Sequence, residues 1–485
     1  MPELINKIKN IFAADNLKGK FARGGFVLSA ASGFEIVLRF IRNIILTRLL
    51  APEYFGLMAT ILSAVAISEA LTEVGVRQSV IQSKKGDTEE FLNAAWWFSC
   101  IRGTLLYIIA LLLVPFICDF YNTPEIRLPM GIAFSALLIN GLVSPRMYLL
   151  EKKLSYFKLI TIQQGAGILN VVATLIISLY IQNIWPLVIG FVLEVFGRFL
   201  FSFVFLPFRV RFKIDRSCLS EIFKFARGMF GLPILTSVFF QFDIFIIGKL
   251  FSMEQLGLYS VSRSMALVPV NAFGKVVNPL VLPAFSNMQD DFASLNGWLL
   301  KITDLVCLFS MPIVALCIVV SHPLLSILFG PSYGTVSLPF SILMGYILVR
   351  ILSMIIMQLF FALGRPDIQR RFAAIRVIII LVMAYPVSLK YGLPGTAFTV
   401  LFGMLLLYVL QVIWAARMIN MKILEHSMCL LRGLFFSSLV VMPLLFIREV
   451  FQYSGITLIG GGILFCIFSW GIAFALPHYR KIISG

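Results

Sequence analysis

The chain has 485 residues, 60% of them hydrophobic and 13% charged, with a formal net charge of +17. A soluble domain cannot hide that much apolar surface, since roughly half is the usual apolar share. Apolar runs of about 20 residues recur instead, which is long enough to cross ~30 Å of hydrocarbon as helix and too long for barrel strands of about 10 alternating residues. The composition predicts an all-α integral membrane protein, and the positive charge then belongs to loops on one side of a bilayer rather than to a nucleic-acid surface.

Residues 1–22 contain no apolar stretch followed by a small-residue cleavage site. Leu4, Ile5, Ile8, Ile11 and Phe12 share one helical face, which predicts an amphipathic segment lying on the membrane surface. Apolar runs between polar breaks then predict about fourteen transmembrane helices: 24–49, 54–80, 94–117, 126–148, 160–181, 184–206, 227–249, 256–280, 297–320, 337–362, 370–389, 393–416, 430–447 and 456–476. With the N-terminus in the cytoplasm, clusters such as Arg146/Lys152/Lys153/Lys158 and Arg209/Arg211/Lys213/Arg216/Lys224/Arg227 fall inside. Outer connections hold isolated bases such as Arg48, Arg127 and Lys390. That asymmetry is the one that orients helical membrane proteins, and the basic C-terminus (Arg480, Lys481) asks for an even span count, with both termini cytoplasmic.

No loop is long enough to form a domain. The seven cysteines show no CxxC pair and most lie inside apolar runs, while His322, His426 and His478 stand singly, so neither a disulfide framework nor a metal site is expected. Neither GxxxxGK[ST] nor GxGxxG occurs, which leaves nucleotide chemistry unsupported and no cofactor expected. Trp96, Trp97, Trp185, Trp298 and Trp414 fall near span ends, as interfacial belts require.

The chain repeats itself. FARGGFVL at 21–28 returns as FARGMFGL at 225–232, and LLAPEYFGLM at 49–58 returns 201 positions later as LFSMEQLGLY at 250–259. The same offset pairs Phe91 with Phe292, Trp97 with Trp298, and Glu89/Glu90 with Asp290/Asp291. The opening octets are offset by 204, so the second copy is about three residues shorter within its first helix. Six spans separate the copies, and an even number preserves orientation, which makes this a parallel repeat about the membrane normal. The predicted organisation is a surface segment (1–22), an N-lobe of spans 1–6 (23–206), a basic linker (207–224), a C-lobe of spans 7–12 (225–416), and two further spans with a short tail (417–485).

TRLLAPEYFGLMA, the following ALTEVGVRQSVIQ, and FDIFIIGKLFSMEQLGLYSVS, together with the fourteen-helix two-lobe plan, resemble the Wzx-type polysaccharide flippases of the MOP superfamily over essentially the whole chain. The resemblance implies a carrier, not an enzyme, in a bacterial inner membrane. It would turn an undecaprenyl-diphosphate-linked oligosaccharide to the outer leaflet by alternating access, alongside membrane lipids and polymerase or glycosyltransferase partners, without nucleic acid. MATE drug exporters share the fold, so a cation-coupled antiporter is the alternative; a membrane glycosyltransferase or polymerase fits less well, since polymerases generally need a larger outer loop. Asp290-Asp291 reads as a solvated surface pair.

Charges placed in hydrocarbon cost at least ~2.5–3.5 kcal/mol each, so they mark a protein interior or water. Bases within the spans are Arg39, Arg42, Arg102, Arg198, Arg263, Lys275 and Arg350; acids are Glu35, Glu69, Glu73, Glu194, Asp243 and Asp304. Glu35–Arg39 and Glu194–Arg198 are spaced to pair along one helix face. Arg42, Arg350 and Arg263 have no acid at helical spacing, and an arginine's planar fork suits diphosphate oxygens. The expected diphosphate-binding set is Arg42, Arg350, Arg39, Arg263 and Arg198. Glu69, Glu73, Asp243 and Glu35 are the candidates for ion coupling, and Lys275 and Arg102 can snorkel to the surface.

Overall fold

In a computed structural model of the chain, the described residues are 17–71, 75–152, 156–212, 215–229, 232–451, 455–477 and 479. Glu73 and most of the amphipathic N-terminal segment lie outside them, as do the side chains of both FARG octets and of Lys275.

The helices in chain order are α1 (Leu17–Leu49), α2 (Pro52–Leu71), α3 (Val76–Gln82), α4 (Glu89–Tyr121), α5 (Arg127–Leu142), α6 (Arg146–Lys152), α7 (Tyr156–Tyr180), α8 (Trp185–Phe205), α9 (Arg216–Met229), α10 (Leu232–Leu250), α11 (Met253–Ala266), α12 (Val268–Ser286), α13 (Phe292–Val319), α14 (Ser321–Phe329), α15 (Ser337–Ala362), α16 (Pro366–Ile419), α17 (Ile423–Phe451) and α18 (Gly455–Ala475). Two compact units emerge, Met1–Gly257 and Leu258–Gly485. In the first, α1 packs on α7, α7 on α8, α4 and α8 on α5, and α10 on α2; in the second, α15 packs on α12, α13 and α16, and α17 on α13 and α18.

Among the described residues, ten helices are long and apolar enough to cross a membrane. One of them, α16, is a hairpin. Its 54 residues contain Gly392 at φ 66°, and the hydroxyls of Ser388 and Thr396 lie 2.8 Å apart. Eight residues of straight helix would separate them by about 12 Å, so the chain reverses between two spans, where the sequence reading breaks 389 from 393. The remaining predicted spans fall on α1, α10 and the α11–α12 pair, which are not among the ten.

Helix ends follow local chemistry. Thr88 caps α4 by accepting from Phe91 N–H, and α4 stops at Asn122 in the left-handed conformation (φ 55°), as α16 stops at Asn420 (φ 52°). The corresponding helices start two residues out of the 201-residue register: α4 starts at Glu89, while α13 starts at Phe292 with Asp291 as its cap. Asp291 is therefore no merely solvated acid, because its carboxylate accepts from Ala293 and Ser294 N–H at 3.1 Å each. The predicted basic linker is also partly helical, carrying α9 from Arg216.

The repeat is visible as a contact. Gly56 in α2 and Gly257 in α11 are equivalent at the 201-residue offset, and so are Pro52 and Met253. A Cβ added to Gly56 would stand 1.9 Å from Met253 O, and one added to Gly257 would stand 1.7 Å from Pro52 O. The two helices cross backbone to backbone at equivalent positions, each glycine lying against the other copy's helix start. The contact is reciprocal between the two equivalent positions.

Candidate functional site

The polar interior of the first unit is assembled by α1, α7 and α8. α1 places Glu35, Arg39 and Arg42 within two turns, while α7 supplies Gln164, Asn170 and Thr174, and α8 supplies Glu194 and Arg198. Arg39 joins two acids, giving Nε to Glu35 Oε1 at 3.0 Å and Nη2 to Glu194 Oε1 at 2.7 Å. Glu194, 8% exposed, also accepts from Asn170 Nδ2 at 2.5 Å and lies 3.5 Å from Arg198 Nη2. Gln164 donates to the other Glu35 oxygen at 3.0 Å. Arg42 donates Nη1 to Asn170 Oδ1 at 3.1 Å, and both Nη2 and Nε to Asn43 Oδ1 at 3.0 and 3.3 Å. Thr174 completes the Asn170 oxygen at 2.9 Å. Gly190 makes room for this arrangement, since a Cβ there would come within 1.9 Å of Thr174 Oγ1 and 2.8 Å of Asn170 Oδ1. The cluster thus holds three guanidiniums against two carboxylates; Arg39 and Arg42 are hydrogen-bonded within it, while Arg198 meets Glu194 as an ion pair and keeps its buried Nε without a hydrogen-bond partner among the described residues.

A cavity of about 470 Å³ opens beside it, lined among others by Glu69, Arg77, Arg102, Asn140, Glu151 and Arg198. Arg198 belongs to both, lining the cavity and reaching Glu194. Asn140 donates to Glu69 at 2.6 Å. Arg77 directs Nε and Nη2 at Glu151 Oε2, at 2.7 and 2.6 Å. Arg198 therefore links the cavity to the interhelical cluster, and the charged lining of the cavity sets Arg77, Arg102 and Arg198 against Glu69 and Glu151.

The structure brings Glu35, Arg39, Arg42 and Arg198 together and places Glu69 in the adjoining cavity. Asp243 is buried on α10, 3% exposed. In the second unit Arg350 donates to Tyr346 Oη at 3.3 Å, and Arg263 sits partly buried on α11. Asp304, counted by sequence among the acids within spans, is claimed by Arg432 Nη1 at 3.0 Å and by the Tyr479 hydroxyl at 3.3 Å.

Three contributors escaped a count of charges. Asn170 and Asn140 are neutral, yet an amide inside an apolar run carries nearly the same signal as a charge. Arg376 lies inside the predicted span 370–389 and reaches the Met404 sulfur at 3.4 Å.

Comparison with solved structures gives the fold. The chain superposes on a structure titled "Lipid II flippase MurJ, inward closed conformation" with TM-score 0.74 at 14% identity, over 94% of this chain and 100% of that one. It matches an inward-facing multidrug-resistance MATE transporter of the MOP superfamily with TM-score 0.63 at 12% identity, over 80% and 94%. The chain shares the fold of both structures. The profile of the family described as "Polysaccharide biosynthesis protein" matches residues 45–338, and the chain belongs to that family. Relatives include an uncharacterised membrane protein in the cps region of Klebsiella pneumoniae, 25% identical over 75% of both chains. The lipopolysaccharide biosynthesis protein WzxC of Escherichia coli K12 is 21% identical over 82% of this chain and 80% of its own.

Proposed function

We propose that this transporter flips an undecaprenyl-diphosphate-linked oligosaccharide from the cytoplasmic to the outer leaflet of a bacterial inner membrane by alternating access, for O-antigen, capsule or exopolysaccharide export. The observation that carries the reading is the base-rich cluster of Arg39, Arg42 and Arg198 continuous with a polar cavity. The names of the relatives agree with it: WzxC serves lipopolysaccharide biosynthesis, and ExoT of Rhizobium meliloti, 21% identical over 64% of this chain, is a succinoglycan biosynthesis transport protein.

The physical demand is specific. A diphosphate cannot cross bare hydrocarbon, because desolvating ionised oxygens is prohibitive. Guanidinium forks replace its hydration shell, while the polyprenyl chain remains in lipid. With the inside negative, the membrane potential assists outward movement of an anion by ~2.3 kcal/mol per charge per 100 mV. Arg42 and Arg350 are the proposed principal grips, with Arg39, Arg198 and Arg263 supporting. Glu69, Asp243, Glu35 and Glu73 are the proposed points at which an ion is coupled. Both termini are proposed to be cytoplasmic, the repeat to define lobes at 23–206 and 225–416 with fourteen spans in all, and polymerases or glycosyltransferases to act as partners.

Proteoliposomes test the reading. Protein-dependent translocation of an undecaprenyl-diphosphate oligosaccharide is expected. Export of a small organic cation with no movement of the lipid would contradict it and move the chain to the drug-antiporter branch.

A further inference from the structure

Between α8 and α10 the chain runs through the 207–212 strap and α9. The strap is pinned to the start of α4: Arg211 N–H donates to Asn93 Oδ1 at 2.9 Å, and Trp97 Nε1 donates to Arg211 C=O at 2.9 Å. Arg146 reaches back to the Pro207 carbonyl. α9 is strongly amphipathic. Its Cys218 and Ile222 are buried, 5% and 0% exposed, against Val76 and Val80 of α3 and Phe91, Leu92 and Ala95 of α4. The strap and α9 are therefore held against the start of α4.

Its outer side combines two features that do not normally coexist in water. Phe212 is 89% exposed and Phe223 is 61% exposed, with the Trp97 ring 5.7 Å from that of Phe212. Around them Arg209, Arg211, Arg216 and Lys224 are all exposed, and Lys84 and Lys85 are exposed on the neighbouring turn. Lys85 lies within electrostatic reach of Asp215 and Cys218, so that turn belongs to the same face. The acids on this surface are fewer: Glu90 and Glu221 are exposed, Asp87 on the Lys84–Lys85 turn is paired with Lys152 at 2.6 Å, and Asp215 is occupied with Ser217 at the start of α9. The orientation rule explains basic residues in a loop on this side. It does not require them to be folded into a helix, pinned to α4 and ringed around exposed phenylalanines.

We propose that α9 and its strap form a binding surface for anionic phospholipid headgroups of the bilayer the chain spans, with Phe212 and Phe223 entering the headgroup–acyl boundary and Arg209, Arg211, Arg216 and Lys224 seating the phosphates. Amphipathic helices with basic and aromatic flanks bind in this way, and basic clusters beside spans attract anionic leaflets. The surface does not depend on the transported cargo.

The test uses the full chain in detergent, with phosphatidylglycerol or phosphatidylcholine of identical acyl chains added. Retained lipid is counted by native mass spectrometry and stability is followed by thermal unfolding. Wild type is expected to retain phosphatidylglycerol over phosphatidylcholine and to be stabilised by it, with the preference shrinking from 50 to 500 mM salt, on the order of Debye screening. In R209Q/R211Q/R216Q/K224Q the preference should fall about tenfold, as removing four surface-proximal charges implies. R417Q/K422Q, altering another basic connection, should leave it unchanged. An undiminished preference in the quadruple variant, equal stabilisation by phosphatidylcholine, or the same stabilisation by inorganic phosphate alone would each overturn the proposal. The salt series on wild type decides independently if the quadruple variant fails to fold.

Discussion

The polar interiors of the two units solve the same problem in different ways. In the first, Arg39 touches two carboxylates from different helices, and Glu194 in turn holds Asn170 and nears Arg198, which lines a cavity. In the second, the buried carboxylate of Asp304 is held by Arg432 and Tyr479, and Ser353 donates to Gln411, which donates to Gln369, at 2.6 and 2.7 Å. The first arrangement sets three arginines against two carboxylates and adjoins a cavity; in the second a single buried carboxylate is held by one arginine and one tyrosine.

That contrast can be broken by experiment. The largest effect is expected at Glu194→Ala, which leaves Arg39 and Arg198 without their shared carboxylate. About 3 kcal/mol of stability should be lost, as for other broken buried pairs, together with translocation; unchanged thermal unfolding would show that the cluster is not a unit. Asp304→Ala should cost a comparable ~3 kcal/mol yet preserve translocation per folded molecule, and a selective transport defect would erase the distinction between the units. Gly56→Ala and Gly257→Ala should each cost about 2 kcal/mol through overpacking. Because the crossing is reciprocal, their unfolding shifts should match. A large effect at one and none at the other would undo the reciprocal reading.

The smallest effect concerns Asp291. Hydrogen bonds, first from Ser294, hold its carboxyl below the usual carboxylate range. A depressed value means that its support of α13 is fully present above the unfolded value of about 3.9 and fades as pH falls through the lower folded value. Asp291→Ala should lower Tm by about 2 °C at pH 7, on the scale of a lost cap, with the difference from wild type shrinking below pH 4. A constant difference would assign the effect to packing.

Much of this was legible beforehand, because spans are written in consecutive residues. The break at 389–393 coincides with the α16 hairpin, and the 201-residue offset anticipates the Gly56–Gly257 crossing. Pairing across helices was not legible. The spacing of Glu35 and Arg39 announces their contact, but nothing local tells Glu194 to choose Arg39, 155 residues away, more closely than its helix neighbour Arg198. Arg432 and Asp304 are 128 residues apart, and neutral Asn170 is invisible to a count of charges although it organises Arg42 and Glu194. Tertiary choice among equivalent partners requires the packed helices.

The most direct measurement is translocation of an undecaprenyl-diphosphate oligosaccharide in proteoliposomes by Arg42→Ala beside Arg432→Ala, each normalised to folded protein. Loss of a charge-assisted phosphate contact worth about 1.5–3 kcal/mol predicts a roughly ten- to hundredfold slower rate for Arg42→Ala and a near wild-type rate for Arg432→Ala. Equal rates in the two variants, or slowing only in Arg432→Ala, would contradict the assignment of the cargo path to the first unit's cluster.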